Sequence, residues 1–249
     1  MYWFLQLMEE QGIECLVGHP TEIRKAETRK QKHDRRDALL LLKLLVENRF
    51  PTIWVPSAEQ RDLRTLLLHR HQLVRMKCMA QNGLQAIALS NGLRRGHSLW
   101  SQTGQDTLDS LRLCQYAARR RTELTALHRN LQRRIEDLDR RVLKQACQSH
   151  QAQRLMSHPG VGPITALATE VFLGDPHRFL NGKALASYVG LIPSEHSSGR
   201  RRRLGALSKQ GNPLLRFLWI EAALHLSPIY FIHSVLPQSP FIAISITFL

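Results

Sequence analysis

Leu124-Thr125-Ala126-Leu127-His128-Arg129-Asn130-Leu131-Gln132-Arg133-Arg134-Ile135-Glu136-Asp137-Leu138-Asp139-Arg140-Arg141-Val142 is the stretch that decides the fold class. Leu124, Leu127, Leu131, Ile135, Leu138 and Val142 recur at intervals of three or four residues through an otherwise charged segment. That interval returns an apolar side chain to the same side of a helix at every turn, so the segment predicts a long helix with one apolar stripe. A single stripe needs a second helix to cover it. The basic stretch from about Ala58 to Leu89, with Ser57 placed as an N-cap, supplies one of matching length. Residues 58–89 and 117–147 are therefore expected as one long hairpin, a coiled coil or an antiparallel helix pair, connected through Gly104 to Leu113.

Working outward, Phe4, Leu5, Leu7 and Met8 oppose Gln6, Glu9 and Glu10, which predicts an amphipathic helix over 3–12 ended by Gly12. Ile13 to Val17 then reads as a short strand, and helix, glycine and strand together form a fragment of an α/β unit. From Glu22 to about Asn48 the chain is strongly helical, first basic and then leucine-rich, until Arg49-Phe50-Pro51 stops it. Glycine and proline return from Leu155 onward and open a second compact unit. Its last helix has Asn212 as cap and Pro213 at the first helical position. Residues 226–249 carry no charged side chain and contain Pro228, Pro237 and Pro240. Their apolar runs fall short of the roughly 20 residues a membrane helix needs, so an out-of-register tail is expected and not an anchor.

The 249 residues hold 35 Lys+Arg against 20 Asp+Glu, a formal net charge of +15, which draws the chain to a polyanion in a salt-sensitive way. With 43 % hydrophobic residues, disorder throughout is excluded. Cys15, Cys78, Cys114 and Cys147 form no CxxC pair, which argues against a zinc ribbon or disulfide framework and fits a reducing cytoplasm. No basic-then-apolar leader opens the chain.

Four motifs carry chemistry. Ser197-Ser198-Gly199 runs directly into Arg200, Arg201, Arg202 and Arg203, and on through Lys209 to Pro213. A hydroxyl beside clustered guanidinium groups is what attack on a phosphodiester requires, with Ser198 as candidate nucleophile and Ser197 and Ser208 as competitors; the bland alternative is a polar turn with a solvated phosphate-binding patch. Asp34 and Asp37 share one helical face a turn apart and present either two magnesium ligands or surface partners for the neighbouring Arg and Lys. His158-Pro159-Gly160-Val161-Gly162-Pro163 resembles the link of helix-hairpin-helix modules, where glycines let backbone N–H groups approach a phosphate; a tight turn alone would use the same residues. The helix from Ala58 carries Arg61, Arg64, His69, Arg70, His71, Arg75 and Lys77 and is assigned to DNA or RNA binding, while His69 and His71 diverge too far on a helix to share a metal.

Several segments together resemble one family. They are Arg29 to Ala38, Ile53-Trp54-Val55-Pro56 with Arg61-Asp62-Leu63-Arg64, His158 to Pro163, and Ala186 to Pro193 running on through Ser208 to Arg216. Their ordered succession is similar to bacterial insertion-sequence transposases with a DEDD, ribonuclease-H-like (RuvC-like) domain, a coiled-coil middle and a C-terminal catalytic-serine domain. The resemblance covers roughly residues 3 to 225. It implies that Asp34 and Asp37 are the last two of four magnesium-binding acids and that Ser198 is the nucleophile. It also implies action on DNA with a structured guide RNA, as a homo-oligomer, dimer or tetramer, that pairs one subunit's carboxylates with another's serine.

The family's first aspartate and its glutamate have no counterpart in this sequence, so an N-terminally truncated and impaired member is expected; the alternative is a non-catalytic DNA/RNA-binding remnant. The expected fold is mostly α, with a remnant of the α/β ribonuclease-H-like domain, a long helical hairpin and an α-rich C-terminal domain bearing a helix-hairpin-helix. The expected divisions are 1–56, 57–150, 151–225 and an apolar tail at 226–249.

Overall fold

The computed structural model describes residues 2–25, 33–94, 97–198 and 201–233, and within these the chain is mostly helical. The helices are α1 (Tyr2–Glu10), α2 (Pro20–Lys25), α3 (Asp34–Val46), α4 (Ala58–Ser90), α5 (Gln102–Asp109), α6 (Gln115–Gln148), α7 (His150–Met156), α8 (Pro163–Leu173), α9 (Gly182–Val189) and α10 (Pro213–His233). Between α9 and α10 lies a two-stranded antiparallel sheet, β1 (Pro193–Glu195) with β2 (Leu204–Leu207). Two compact units divide at Ala58 and Glu59.

In the first unit, local signals close α1 and α3. Gly12 takes φ +69 and closes α1, its N–H donating to the Glu9 carbonyl at 3.0 Å while Ile13 N–H reaches Met8 at 2.8 Å. Asn48, at φ 53, closes α3 in the same way, with Arg49 N–H on the Leu44 carbonyl at 2.9 Å. The helix expected to run unbroken from Glu22 is interrupted at His33, which is non-helical at φ −153 and caps α3 through its ring nitrogen; residues 26–32 of the expected helix lie outside the described residues. The strand expected at Ile13 to Val17 does not form. Its end meets only the short run at Thr52, through an isolated bridge from Gly18 to Thr52 and the Ile53 N–H on the Val17 carbonyl at 2.8 Å, and no further strand lies beside it among the described residues.

The second unit is built on the hairpin. Arg70 pairs with Asp139, Lys77 with Gln132 and Gln81 with His128, so position falls along α6 as it rises along α4, and the two helices are antiparallel. Leu73, Leu131 and Ile135 are buried in the middle of the seam. At one end Leu84 and Ala88 pack with Leu99, Leu108 and Leu124; at the other, Leu67, Val142 and Ala146 enter the main core. Of the predicted stripe only Leu127 stays exposed. The connection between the helices holds α5, which Ser101 caps by accepting from Gly104 N–H at 3.2 Å.

That main core fills the C-terminal half. Ala166, Leu167, Ala168, Val171, Phe172 and Leu173 bury α8 on nearly every side against Ala152, Val189, Leu214 and Leu215. Ser149 Oγ donates to Glu170 at 2.6 Å, and Trp219 Nε1 donates to Thr169 at 2.8 Å. The segment around Gly190 (φ +81) lies backbone to backbone on the one around Gly211 (φ +91); a Cβ at Gly190 would overlap the Gln210 carbonyl, and one at Gly211 the Tyr188 carbonyl. Asn212 Oδ1 caps α10 as expected, accepting from Leu214 and Leu215 N–H at 2.9 and 3.0 Å. The helix continues to His233, beyond the break expected after His225; residues 234–249 of the expected tail lie outside the described residues. No helix among the described residues is long and apolar enough to cross a membrane.

Candidate nucleic-acid interface

The serine–arginine motif is the far end of the β1–β2 hairpin. Pairing continues past the named strands: His196 N–H donates to the Arg203 carbonyl at 2.9 Å, and Ser198 bridges Arg201. Gly199 and Arg200 lie outside the described residues. The three candidate serines have different surroundings. Ser197 Oγ donates to Glu195 Oε1 at 2.6 Å and accepts from Arg203 N–H at 3.1 Å, so its hydroxyl is committed within the hairpin. Ser208 Oγ is buried without a partner among the described residues. Ser198 is exposed, and its hydroxyl makes no hydrogen bond among the described residues.

Alternation along the hairpin explains the split, because Glu195 and Ser197 share one face while Ser198 takes the other. Arg201, Arg202 and Arg203 are all exposed, and Arg202 Nε lies 3.6 Å from Glu195 Oε1. Lys209, at φ 53, is exposed just past β2. Glu195 was not anticipated from sequence; its i,i+2 spacing to Ser197 in a strand was the available signal.

Asp34 and Asp37 both fall in the first turn of α3 and are exposed. Negative charge there is favoured by the helix dipole, so their position has a structural reason independent of any metal. Among the described residues no group of three or more His, Cys, Asp or Glu converges. The carboxylates belong to the first unit and the serine hairpin to the second.

Gly160 and Gly162 lie in the link between α7 and α8. Gly160 has φ +78 and needs to be glycine; Gly162 is the N-cap of α8 at φ −86, where a Cβ would meet nothing within 4 Å. No side chain caps α8, which leaves its first-turn N–H groups to another acceptor.

The basic positions of α4 separate into two kinds. Arg64 donates from Nε and Nη2 to the Val171 carbonyl at 3.1 and 3.0 Å and lies over the Phe172 ring, closing the C-terminal end of α8. Arg70 and Lys77 reach across the hairpin to Asp139 and Gln132. Arg61 is half-buried, while Arg75 is exposed. Burial, helped by the neighbouring Arg75 and Arg70 charges, pushes the His71 imidazole below its ordinary range, and burial with Lys77 and Arg129 does the same to His128.

Residues 152–230 match the family described as Transposase IS116/IS110/IS902, and residues 1–92 match the IS110 DEDD transposase family. The chain is 29 % identical over 227 residues to the transposase for insertion sequence element IS1111A of Coxiella burnetii, covering 89 % of this chain and 62 % of that protein. It is likewise 29 % identical to a probable family 20 transposase of Pseudomonas aeruginosa, across 89 % of this chain and 67 % of the relative. With the transposase for IS1328 of Yersinia enterocolitica it shares 29 % identity over 67 % of this chain and 50 % of the relative. The chain thus spans roughly half to two thirds of the length of these relatives.

Proposed function

We propose that this chain, which belongs to the IS116/IS110/IS902 transposase family, cleaves and rejoins DNA strands of a bacterial insertion sequence with Ser198 as nucleophile. The observation that carries the reading is the contrast among the three serines: only the Ser198 hydroxyl is both exposed and uncommitted, and it stands beside exposed Arg201.

Ser198 Oγ attacks a backbone phosphorus and forms the phosphoserine bond as the bond to the leaving strand oxygen breaks. The serine proton goes to water, and the leaving oxygen takes up a proton. The guanidinium groups of Arg201, Arg202 and Arg203 hold the phosphate and stabilise the charge that builds on it. Attack by a strand hydroxyl reverses the step, joins DNA and frees the serine. Asp34 and Asp37 are the carboxylates that would hold a magnesium ion, which would neutralise charge developing on the phosphate.

The rest of the reading follows the same family. The first unit belongs to a ribonuclease-H-like fold, and α7 with α8 serves as a helix-hairpin-helix at which Gly162 and the uncapped N–H groups of α8 meet a phosphate. A homo-oligomer of two or four copies brings one copy's carboxylates to another's serine, and a structured guide RNA selects the target. A second reading, a DNA- or RNA-binding remnant without catalysis, draws on the lack of a third metal-binding side chain beside Asp34 and Asp37 among the described residues.

Labelled insertion-sequence end DNA, incubated with the full chain, the element's RNA transcript and magnesium and run on a denaturing gel, separates the two. The catalytic reading expects a covalent protein–DNA adduct that Ser198→Ala abolishes and Ser197→Ala retains, with binding unchanged in both. Binding without any adduct from the unsubstituted chain selects the remnant.

A further inference from the structure

We infer that the open flank of the α4–α6 hairpin is a binding site for an unpaired nucleotide, an inference that rests on the nucleic-acid reading above and adds a site to it. The two flanks of the seam are unlike. Arg70–Asp139, Lys77–Gln132 and Gln81–His128 are spaced by seven and four residues along α4, so all three cross-links close the same side. On the other side a cleft of about 450 Å³ stays open between His69 and Leu73 of α4 and Asn130, Arg133, Arg134 and Leu138 of α6.

The lining chemistry selects the ligand. Leu73 and Leu138 give an apolar floor for the face of a base, and the Asn130 amide offers a donor and an acceptor to its edge. Arg133 and Arg134 form no ion pair among the described residues and are placed to take the flanking phosphates. Asp137, the one carboxylate at the rim, is already held by Arg140 at 3.4 Å and Arg141 at 2.9 Å, which offsets its repulsion of a phosphate. A base that is stacked and paired in a duplex cannot enter between two helices, whereas a splayed one can.

The test measures binding of the full chain to labelled 12-nucleotide oligouridylate, oligothymidylate and a 12-base-pair duplex. Arg133→Gln with Arg134→Gln is expected to weaken single-strand binding roughly tenfold and duplex binding far less. Asn130→Ala is expected to lower single-strand affinity alone, and it carries the test if the double variant melts early. Arg120→Gln with Arg129→Gln removes the same charge from α6 outside the cleft and is expected to weaken all three probes equally. A preference for oligouridylate identifies the ligand as RNA, and equal single-strand affinities identify any unpaired strand. The site is overturned if the cleft variants weaken the duplex as much as the single strands, or match the control pair. The adduct at Ser198 is scored separately, so loss of that chemistry with an intact cleft strikes the proposed reaction and not this site.

Discussion

The two units treat the same kind of sequence in opposite ways. In the first, α1 and α3 are rich in Leu, Phe and Trp, yet only Leu44 is buried, and Trp3, Leu39, Leu42 and Val46 are 71, 57, 57 and 75 % exposed. In the second, three cores form, and the main one buries α8 on nearly all sides. An apolar pattern therefore specifies that a helix forms and which face is adhesive, but not that anything covers it. Its end signals act within five residues, whereas burial needs a partner helix.

Four measurements sharpen or break this contrast. The largest effect is expected from Leu215→Ala in the main core, which is fully buried and should lose about 3–4 kcal/mol in urea unfolding. Leu39→Ala in α3 should stay within about 0.5 kcal/mol. Equal losses would show that the α3 face is covered, and the comparison would fail.

Gly211→Ala combines φ +91 with overlap on the Tyr188 carbonyl and should cost about 3 kcal/mol, whereas Gly12→Ala, at φ +69 with open space around it, should cost about 1 kcal/mol. Thermal melts of both check whether the second unit alone constrains its glycines from two sides.

Arginine substitutions divide the same way within α4. Arg64→Ala leaves α8 carbonyls without a donor and should destabilise by about 2 kcal/mol, with little change in DNA affinity. Arg75→Ala should leave the melting temperature unmoved and lower the salt slope of DNA binding by about one. A change in salt slope for Arg64→Ala without a change in melting would reverse these roles.

The smallest effect is in pH. His71 and His128 have imidazoles pushed below 6.5 by burial and neighbouring cations, so below that pH the unfolded chain takes up protons that the folded chain resists. Stability should fall as the pH drops below about 6.5, and His71→Gln with His128→Gln should flatten that slope in urea unfolding. Both groups belong to the second unit, so a slope that survives the double variant would point to histidines elsewhere.

The helical hairpin was legible because the apolar period of α6 repeats without a break from Leu124 to Val142, more than chance supplies. The ends of α1, α3 and α10 were legible because Gly12, the Asn48–Pro51 stop and Asn212-Pro213 act locally. The α5 helix was missed because an eight-residue segment with Leu108 as its one apolar side chain carries too little pattern, and Leu108 is buried in a cluster with Leu84 and Leu99. The strand at Ile13 to Val17 was over-read, because an extended, apolar run becomes a strand only when another strand accepts its hydrogen bonds.

What the sequence determined by itself is the helical class, the long hairpin, the basic character and the motif that contains the candidate serine. Only the tertiary structure decided which hydroxyl of Ser197, Ser198 and Ser208 is both exposed and uncommitted, which arginines brace the fold, and which flank of the hairpin stays open. The physical reason is range. Helix formation and capping depend on groups a few residues apart, while the availability of a side chain depends on neighbours such as Asp139 for Arg70 and Val171 for Arg64, which lie 69 and 107 residues away along the chain.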